Sequence, residues 1–258
     1  LADSIELSTR VRRVRVNQEG GVTLYTDNAA KQITARDFDY VICAAPAPAT
    51  ACIEFTPSLG SVISGALKGV HYASSSKTIV HVKKRVWELS DGIAGGGSFT
   101  DELLQQCWYP SDNAVREGDS VIAGHTGDDR DESRYSHSPR SWLPRSRDIS
   151  EAPSAFTGSY TWERNARRIS SLSNYSKDAI VMNTLEQLHP GIKEQIDEIV
   201  HFSWDQQESP GGGAFAYFAP GDHTRYMAAM REPFPSQGSR VFFAGEHLSV
   251  AHAWIQGA

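Results

Sequence analysis

The run VFFAGEHLSVAHAWIQGA, from Val241 to Ala258, constrains this chain more than any other stretch. Its first residues are an apolar run of the kind that forms a buried strand. Gly245 and Glu246 follow, then a short loop, and from His252 the run reads as the start of a helix. A strand end facing a helix amino terminus is where an open α/β sheet binds nucleotides. Gly245 lets the backbone approach a ligand closely, and Glu246 can accept hydrogen bonds from sugar hydroxyls. A buried strand with a helix cap behind it fits the same pattern, and the pattern alone does not choose.

The rest of the chain supports a mixed α/β fold. Val11, Val14 and Val16 mark one strand; Val22, Leu24 and Tyr25 mark a second after a Gly-containing turn at Asn17–Gly21; Ile33 marks a third. Tyr40–Pro46 is a continuous apolar run closed by small residues and proline, as expected of a strand buried on both faces. Ser58 is a candidate cap for a helix to about Leu67. Strands are expected at Thr78–Val82, Gln105–Tyr109, Val121–Ala123, Phe215–Phe218 and Arg240–Ala244. Asn174 or Ser176 opens a helix with Ile180, Leu185 and Leu188 on one face, stopped by Pro190.

One stretch reads differently. His125–Gly158 is rich in Ser, Arg and Asp and holds few aliphatic residues, too few to offset the entropy of ordering it. Without it, Val121–Gly124 would run into Ser159–Trp162 as one strand. The expectation is an insertion, either a disordered loop or a translated intron.

Composition narrows the function. A formal net charge of -6 argues against a nucleic-acid partner, and no apolar run approaches a membrane span. Cys43, Cys52 and Cys107 form no C-x-x-C pair and are expected to be reduced thiols, mostly buried. His247 and His252 lack metal-site spacing and read as packing or capping residues, so no metal site is expected. There is no G-x-S-x-G elbow, and Arg164, Arg167 and Arg168 read as a solvated helix face. No signal peptide is visible, which leaves the compartment open. Both ends read as cut, the first inside a strand-rich segment and the last inside a helix.

The closing run resembles the FAD-binding carboxy-terminal motif of the flavin amine oxidases, and its HAWI-x-GA ending is most similar to that of the microbial L-amino-acid oxidases, such as the L-glutamate oxidases. The resemblance implies that Gly245 and Glu246 contact FAD, and that Ala253, Trp254, Ile255, Gln256, Gly257 and Ala258 line its isoalloxazine and pyrophosphate region. Trp254 becomes an aromatic wall of the substrate pocket, and the Ala253 carbonyl receives the substrate amino group. Gln256 stands where many relatives carry an acid, making that contact neutral.

Other matches follow in family order. Gly69-Val70-His71-Tyr72 with Ser76-Lys77 resembles the segment whose lysine holds a water near flavin N5. The glycines of Ala94–Thr100 and Cys107-Trp108-Tyr109-Pro110 are similar to a glycine turn and an aromatic strand of the family. Ser159-Tyr160-Thr161-Trp162 resembles the strand whose tyrosine binds a substrate carboxylate, and Gly213-Ala214-Phe215 the strand that lines the side-chain pocket. Val11 falls where a backbone meets the adenine. Lys77 as a solvated strand lysine, Tyr160 as a half-buried strand residue and Phe215 as plain core packing are the readings without the resemblance.

The family's G-x-G-x-x-G and its carboxylate-binding arginine are not found in this sequence. The resemblance therefore implies residues 1–50 and 238–258 as parts of a discontinuous, partial Rossmann-like FAD domain. Residues 51–237 form a mixed-sheet substrate domain. The implied function is oxidation of an L-amino acid by oxygen. The alternatives are a non-catalytic truncated chain and a polyamine or monoamine oxidase fragment. The implied partners are an amino acid and oxygen, with a missing amino-terminal chain or a second copy completing the protein.

Overall fold

The computed structural model describes residues 4–116, 142–207 and 211–257. The chain forms two compact units, one of Leu1–Ser75 with Trp204–Ala258 and one of Ser76–Ser203. The expected division at 50 and 238 follows assigned roles; the compact units divide at other places.

The first unit opens with β1 (Arg10–Val16), β2 (Val22–Asp27), β3 (Ile33–Phe38) and β4 (Val41–Cys43). Alternation of valine and arginine makes β1 a strand with one apolar face. The doubled Arg12-Arg13 breaks that alternation, and the β1–β2 register shifts between Val11 and Arg13. Gly20 and Gly21 turn the chain with φ of 101° and 80°, and a Cβ on Gly21 would lie 2.9 Å from the Phe38 carbonyl oxygen. A short helix α1 (Ala47–Thr50) leads to β5 (Glu54–Thr56), which pairs parallel with β1 and completes the sheet order β3-β2-β1-β5. Helix α2 (Gly60–Gly69) starts two residues after the expected Ser58 and has no side-chain cap. It leads to β6 (His71–Ala73).

The second unit is a five-stranded sheet backed by helices. Its strands are β7 (Ser75–Val82), β8 (Gly97–Phe99), β9 (Gln106–Trp108), β12 (Ser154–Trp162) and β13 (Ile196–Ser203), in the order β13-β7-β12-β9-β8. Helix α3 (Val86–Leu89), the hairpin β10 (Ala114–Arg116) and β11 (Trp142–Pro144), α4 (Arg147–Ser150), α5 (Glu163–Ser170) and α6 (Asn174–Leu188) complete it. The core packs Val80, Val82, Trp87, Leu104, Cys107, Phe156 and Leu185. Ser173 caps α6 by accepting from the Ser176 amide at 3.2 Å, and the helix ends before Pro190 as expected. The buried face of α6 is Lys177, Val181, Thr184 and Leu185, with Ile180 only half-buried. Arg164, Arg167 and Arg168 are exposed on α5.

Back in the first unit, β14 (Phe215–Tyr217) pairs with β6, and α7 (Ala228–Arg231) follows a wide helical turn at His223–Met227. Strand β15 (Val241–Phe243) pairs parallel with β4. Val14, Val22, Phe55, Phe234 and Val241 form one core cluster there. His247 is buried, its Nδ1 3.4 Å from the Tyr72 hydroxyl. His252 packs edge-on against Phe218 at 4.4 Å and stacks on His223 with ring planes 4° apart.

Three expectations are corrected. Residues from Trp142 to Gly158 belong to β11, α4 and β12, so this part of the expected insertion is integral to the unit. Phe156 lies 4.6 Å from Trp87 between ring centroids, and a Cβ on Gly158 would stand 2.5 Å from Val80 Cγ2. Buried Glu88 accepts from Asn113 at 2.6 Å and from Ser150 at 2.7 Å. Those polar bonds replace the aliphatic residues whose scarcity suggested disorder. Residues 125–141 of that stretch, and the expected strand at Val121–Ala123, lie outside the described residues. The expected strand at Tyr40–Pro46 is buried on one side only: Ile42 is 70% exposed while Cys43 is buried. Of the three thiols, Cys43 and Cys107 are buried and Cys52 is exposed. Finally, the chain after His252 forms no α-helix among the described residues; Glu246–Leu248 and Ile255–Gly257 are 3-10 turns, and Ala253 at φ 63° interrupts helical winding.

Two predictions follow from this packing. Phe156→Ala should cost about 3–5 kcal/mol of stability in denaturant unfolding; a change near zero would place the strand outside the core. Burial, reinforced by neighbouring histidines and opposed by Glu246, holds the His247 and His252 imidazoles below their ordinary value of 6.5. Below that value an unfolded chain binds more protons than the folded one. Stability should therefore be full above pH 6.5 and fall as pH drops toward 5, before Asp112 and Glu186, held below 3.8 and 4.5, begin to protonate. A melting temperature constant between pH 7 and 5 contradicts this.

Candidate functional site

The turn after β15 in the first unit carries most of the expected cofactor residues. Parallel pairing sets Phe243 opposite Cys43, so the carboxyl ends of two strands open side by side. The Ala244 amide donates to the Cys43 carbonyl at 3.0 Å and extends that pairing by one residue. Gly245 then takes φ 114° and ψ -176°, a conformation essentially reserved to glycine. A Cβ there would meet the Ala44 carbonyl oxygen at 3.4 Å.

Glu246 does more than the sequence suggests. One carboxylate oxygen accepts from the Ala253 amide at 2.5 Å, and the other from the Ala216 amide of β14 at 2.8 Å. Phe215, on the same strand, sits opposite Ala73 on β6. Ala253 is held at φ 63°. Beyond it Trp254 and Ile255 project outward, 70% and 92% exposed, and Gln256 is exposed too. Gly257 closes the turn: a Cβ would stand 1.9 Å from the Ala251 carbonyl oxygen, so no other residue fits this path. Ala258 lies outside the described residues. Val11 sits half-buried on β1 beside the register shift.

These features fit a flavin nucleotide. Strand ends, a backbone without a Cβ, a carboxylate with lone pairs to spare and an exposed aromatic plane are what such a group needs. A cavity of about 400 Å³ elsewhere in this unit runs along Thr50, Phe55, Ser58, Gly60 and Lys68, and none of the expected site residues lines it.

In the second unit, Lys77 and Tyr160 come together. The Lys77 ammonium lies 4.7 Å from the centre of the Tyr160 ring. Lys77 is exposed, and its strand neighbours Ser76 and Thr78 are buried. Ser76 and Thr161 hydroxyls meet at 2.6 Å. Trp162 packs edge-on against Tyr160 at 5.3 Å, and Phe202 stands opposite Lys77 in register. An exposed ammonium beside a phenol, on a partly aromatic surface, makes a donor-rich positive spot.

Several neighbours escaped the sequence reading. Thr78 meets His201 Nδ1 at 2.9 Å, and His201 Nε2 meets Asp178 at 2.7 Å, next to Lys77 in the strand. His71 and Tyr217, opposite each other in register, share the face of Phe215 and pack edge-on at 6.2 Å. Tyr72 donates to or accepts from His247 and accepts from the Ala47 amide at 3.2 Å; burial pushes its phenol up to about 12, and the Glu246 charge adds to this. Nothing in residue spacing marks these, because each contact joins segments distant in sequence. Among the described residues no group of three or more His, Cys, Asp or Glu could hold a metal ion, and no helix is long and apolar enough to cross a membrane.

Comparison with known proteins bears on the family and the fold of the chain. Chain similarity to the L-amino-acid oxidase of Siganus canaliculatus is 29% identity over 255 residues, covering 98% of this chain and 41% of that protein. The L-amino-acid oxidase of Gloydius blomhoffii is 27% identical over 258 residues, covering 99% and 43%. The chain thus spans 41–53% of the length of the curated relatives it matches. Solved structures share the fold: a putrescine oxidase redesigned in its cofactor binding, with TM-score 0.65, 20% identity and coverage of 96% and 45%, and the cyclohexylamine oxidase of Brevibacterium oxydans, with TM-score 0.63, 16% identity and coverage of 93% and 42%. Residues 1–258 match the flavin containing amine oxidoreductase family throughout, and the chain belongs to that family.

Proposed function

We propose that this chain is part of an FAD-dependent L-amino-acid oxidase, which converts an L-amino acid to a 2-oxo acid with release of ammonia and hydrogen peroxide. The observation that carries the reading is the pairing of Lys77 with Tyr160. A primary amine offers no anion for the Tyr160 hydroxyl to bind, whereas an amino acid offers its carboxylate. The named relatives at 27–29% identity support the same choice.

In this reading FAD, when bound, accepts the hydride from the substrate Cα and passes the electrons to oxygen. The first unit's residues would hold it: Gly245 by close backbone approach, Glu246 through its remaining lone pairs, and Trp254 through Gly257 along the ring system, with Val11 toward the adenine. The pyrophosphate grip is assigned to sequence carrying G-x-G-x-x-G outside these residues, whether in a longer chain or in a partner.

The remaining roles belong to side chains and carbonyls. Tyr160 donates its hydroxyl proton to a substrate carboxylate oxygen as a neutral donor on a rigid arm. The Ala253 carbonyl accepts from the substrate amino group, which orients Cα. Phe215 and Trp254 enclose the side chain and exclude water, which strengthens each polar contact. Lys77 holds a water at the reacting face and supports proton movement there. Free imino acid then hydrolyses to the oxo acid and ammonia.

A polyamine or monoamine oxidase is the competing reading, since the structural neighbours named above include a putrescine and a cyclohexylamine oxidase. Peroxide formation by the flavin-loaded protein distinguishes them. L-amino acids should react at least roughly 100-fold faster than the amines lacking only the carboxylate, because a site built around a polar group rejects the analogue without it; equal rates with amines would sink the amino-acid assignment. Tyr160→Phe should raise KM for amino acids by roughly tenfold, the worth of one hydrogen bond to a charged group. Lys77→Met should slow turnover by roughly 100-fold, in line with loss of a proton-transfer group. The defect should lie in the oxygen half-reaction, with anaerobic substrate oxidation little changed in stopped flow. Unchanged turnover rejects that role.

A further inference from the structure

In the first unit, Glu246 bonds both segments expected to read the substrate, the strand of Phe215 and the turn of Ala253. Its two oxygens point in different directions, one to the Ala253 amide at 2.5 Å and one to the Ala216 amide at 2.8 Å. Ala216 is 1% exposed and sits between Phe215 and Tyr217 on β14. Ala253 holds a positive φ of 63°, unfavourable for alanine, and its peptide direction is what aims its carbonyl. A carboxylate accepting from N–H groups makes stronger bonds than a neutral acceptor, and only an ionised acid offers two equivalent acceptors.

Because Gly245 fixes the backbone just before Glu246, the carboxylate is anchored from the strand-end side as well. Tyr72 flanks the same segment from the neighbouring strand: Ala216 pairs with Tyr72 in register, and a Cβ on Gly213, just before β14, would stand 2.5 Å from Tyr72 Cβ. The strand is therefore pinned on one side by packing and at its centre by Glu246. Phe215 cannot shift along the strand without breaking the Ala216 bond.

We propose that Glu246 is a positioning residue that fixes the substrate side-chain wall, through Ala216, relative to the amine-accepting carbonyl, through Ala253. It thereby sets which side-chain lengths are accepted. This rests on the amino-acid oxidase reading and adds to it. The cofactor contact expected of Glu246 uses its spare lone pairs; the bonds to Ala216 and Ala253 are internal to the chain and exist without any ligand.

The test compares the wild-type protein with Glu246→Gln and Glu246→Asp, both flavin-free and flavin-loaded. Glutamine keeps one acceptor and sets an amide donor against the other N–H; aspartate is too short to reach both. Amide hydrogen exchange is the first readout. In flavin-free protein, exchange at Ala216 or Ala253 should quicken by about tenfold or more in each variant, the worth of a charge-assisted bond, with the Val14 and Val22 amides unchanged. The second readout is the ratio of kcat/KM between a long apolar and a short amino acid. That ratio should fall by about tenfold in Glu246→Gln, with the change in KM larger than in kcat. Wild-type protection at both amides in both variants, or an unaltered substrate ratio, overturns the proposal. If the wild-type loaded protein oxidises no amino acid, the functional reading fails while the exchange result still decides the internal coupling.

Discussion

Parallel pairing of two three-residue strands from opposite ends of the chain, Val41–Cys43 and Val241–Phe243, is the constraint on which the cofactor turn depends. Closing so long a loop costs entropy, though the cost grows only slowly with length. What offsets it is apolar: Val241 is fully buried in a cluster with Val14, Val22, Phe55 and Phe234. That pairing delivers Gly245 to the mouth of the sheet, next to Ala44. A one-residue slip would exchange the buried Val241 and the exposed Phe242 side chains. Register is thus fixed by burial, and the position of the turn follows from register.

The second unit solves a different problem. Its sheet is stabilised by an aromatic centre, where Trp87, Tyr109 and Phe156 meet, and by polar networks around it, although the buried Arg85 Nε and Trp87 Nε1 donors find no partner among the described residues. Glu88, Asn113 and Ser150 tie α3 to α4, and Arg85 bonds both Glu88 and Asp112. Buried charge of this kind costs more than it returns unless every lone pair is used. Tyr109 likewise bonds His189 at 2.6 Å and Ser98 at 2.8 Å, while His189 bonds Asp91 at 2.6 Å. Sequence scans for aliphatic residues undercount such regions, because their stability comes from satisfied polar groups around a few large rings. That is why Trp142–Gly158 read as foreign and proved structural.

The same distinction runs through the site. Residue types and spacing pointed to the Gly245–Glu246 turn, while Lys77, Tyr160 and Phe215 were singled out by the resemblance of their flanking segments to the family's. Contacts through backbone amides were invisible. No residue type announces that Ala216 will donate to Glu246, since every residue but proline has an amide to give. The left-handed conformation of Ala253 was equally hidden, and with it the failure of the expected final helix.

By itself the amino-acid sequence determined the family, the mixed α/β class, the position of most strands and the glycine on which the turn hinges. Those rest on local rules: alternation, turn residues, and a motif whose order survives in the chain. Only the tertiary structure decided that Glu246 bridges two segments, that Lys77 lies over the Tyr160 ring, and that Phe156, within the expected insertion, belongs to the core. These depend on which distant segments pack together, and that is set by the summed burial of many side chains, which no single stretch of sequence contains.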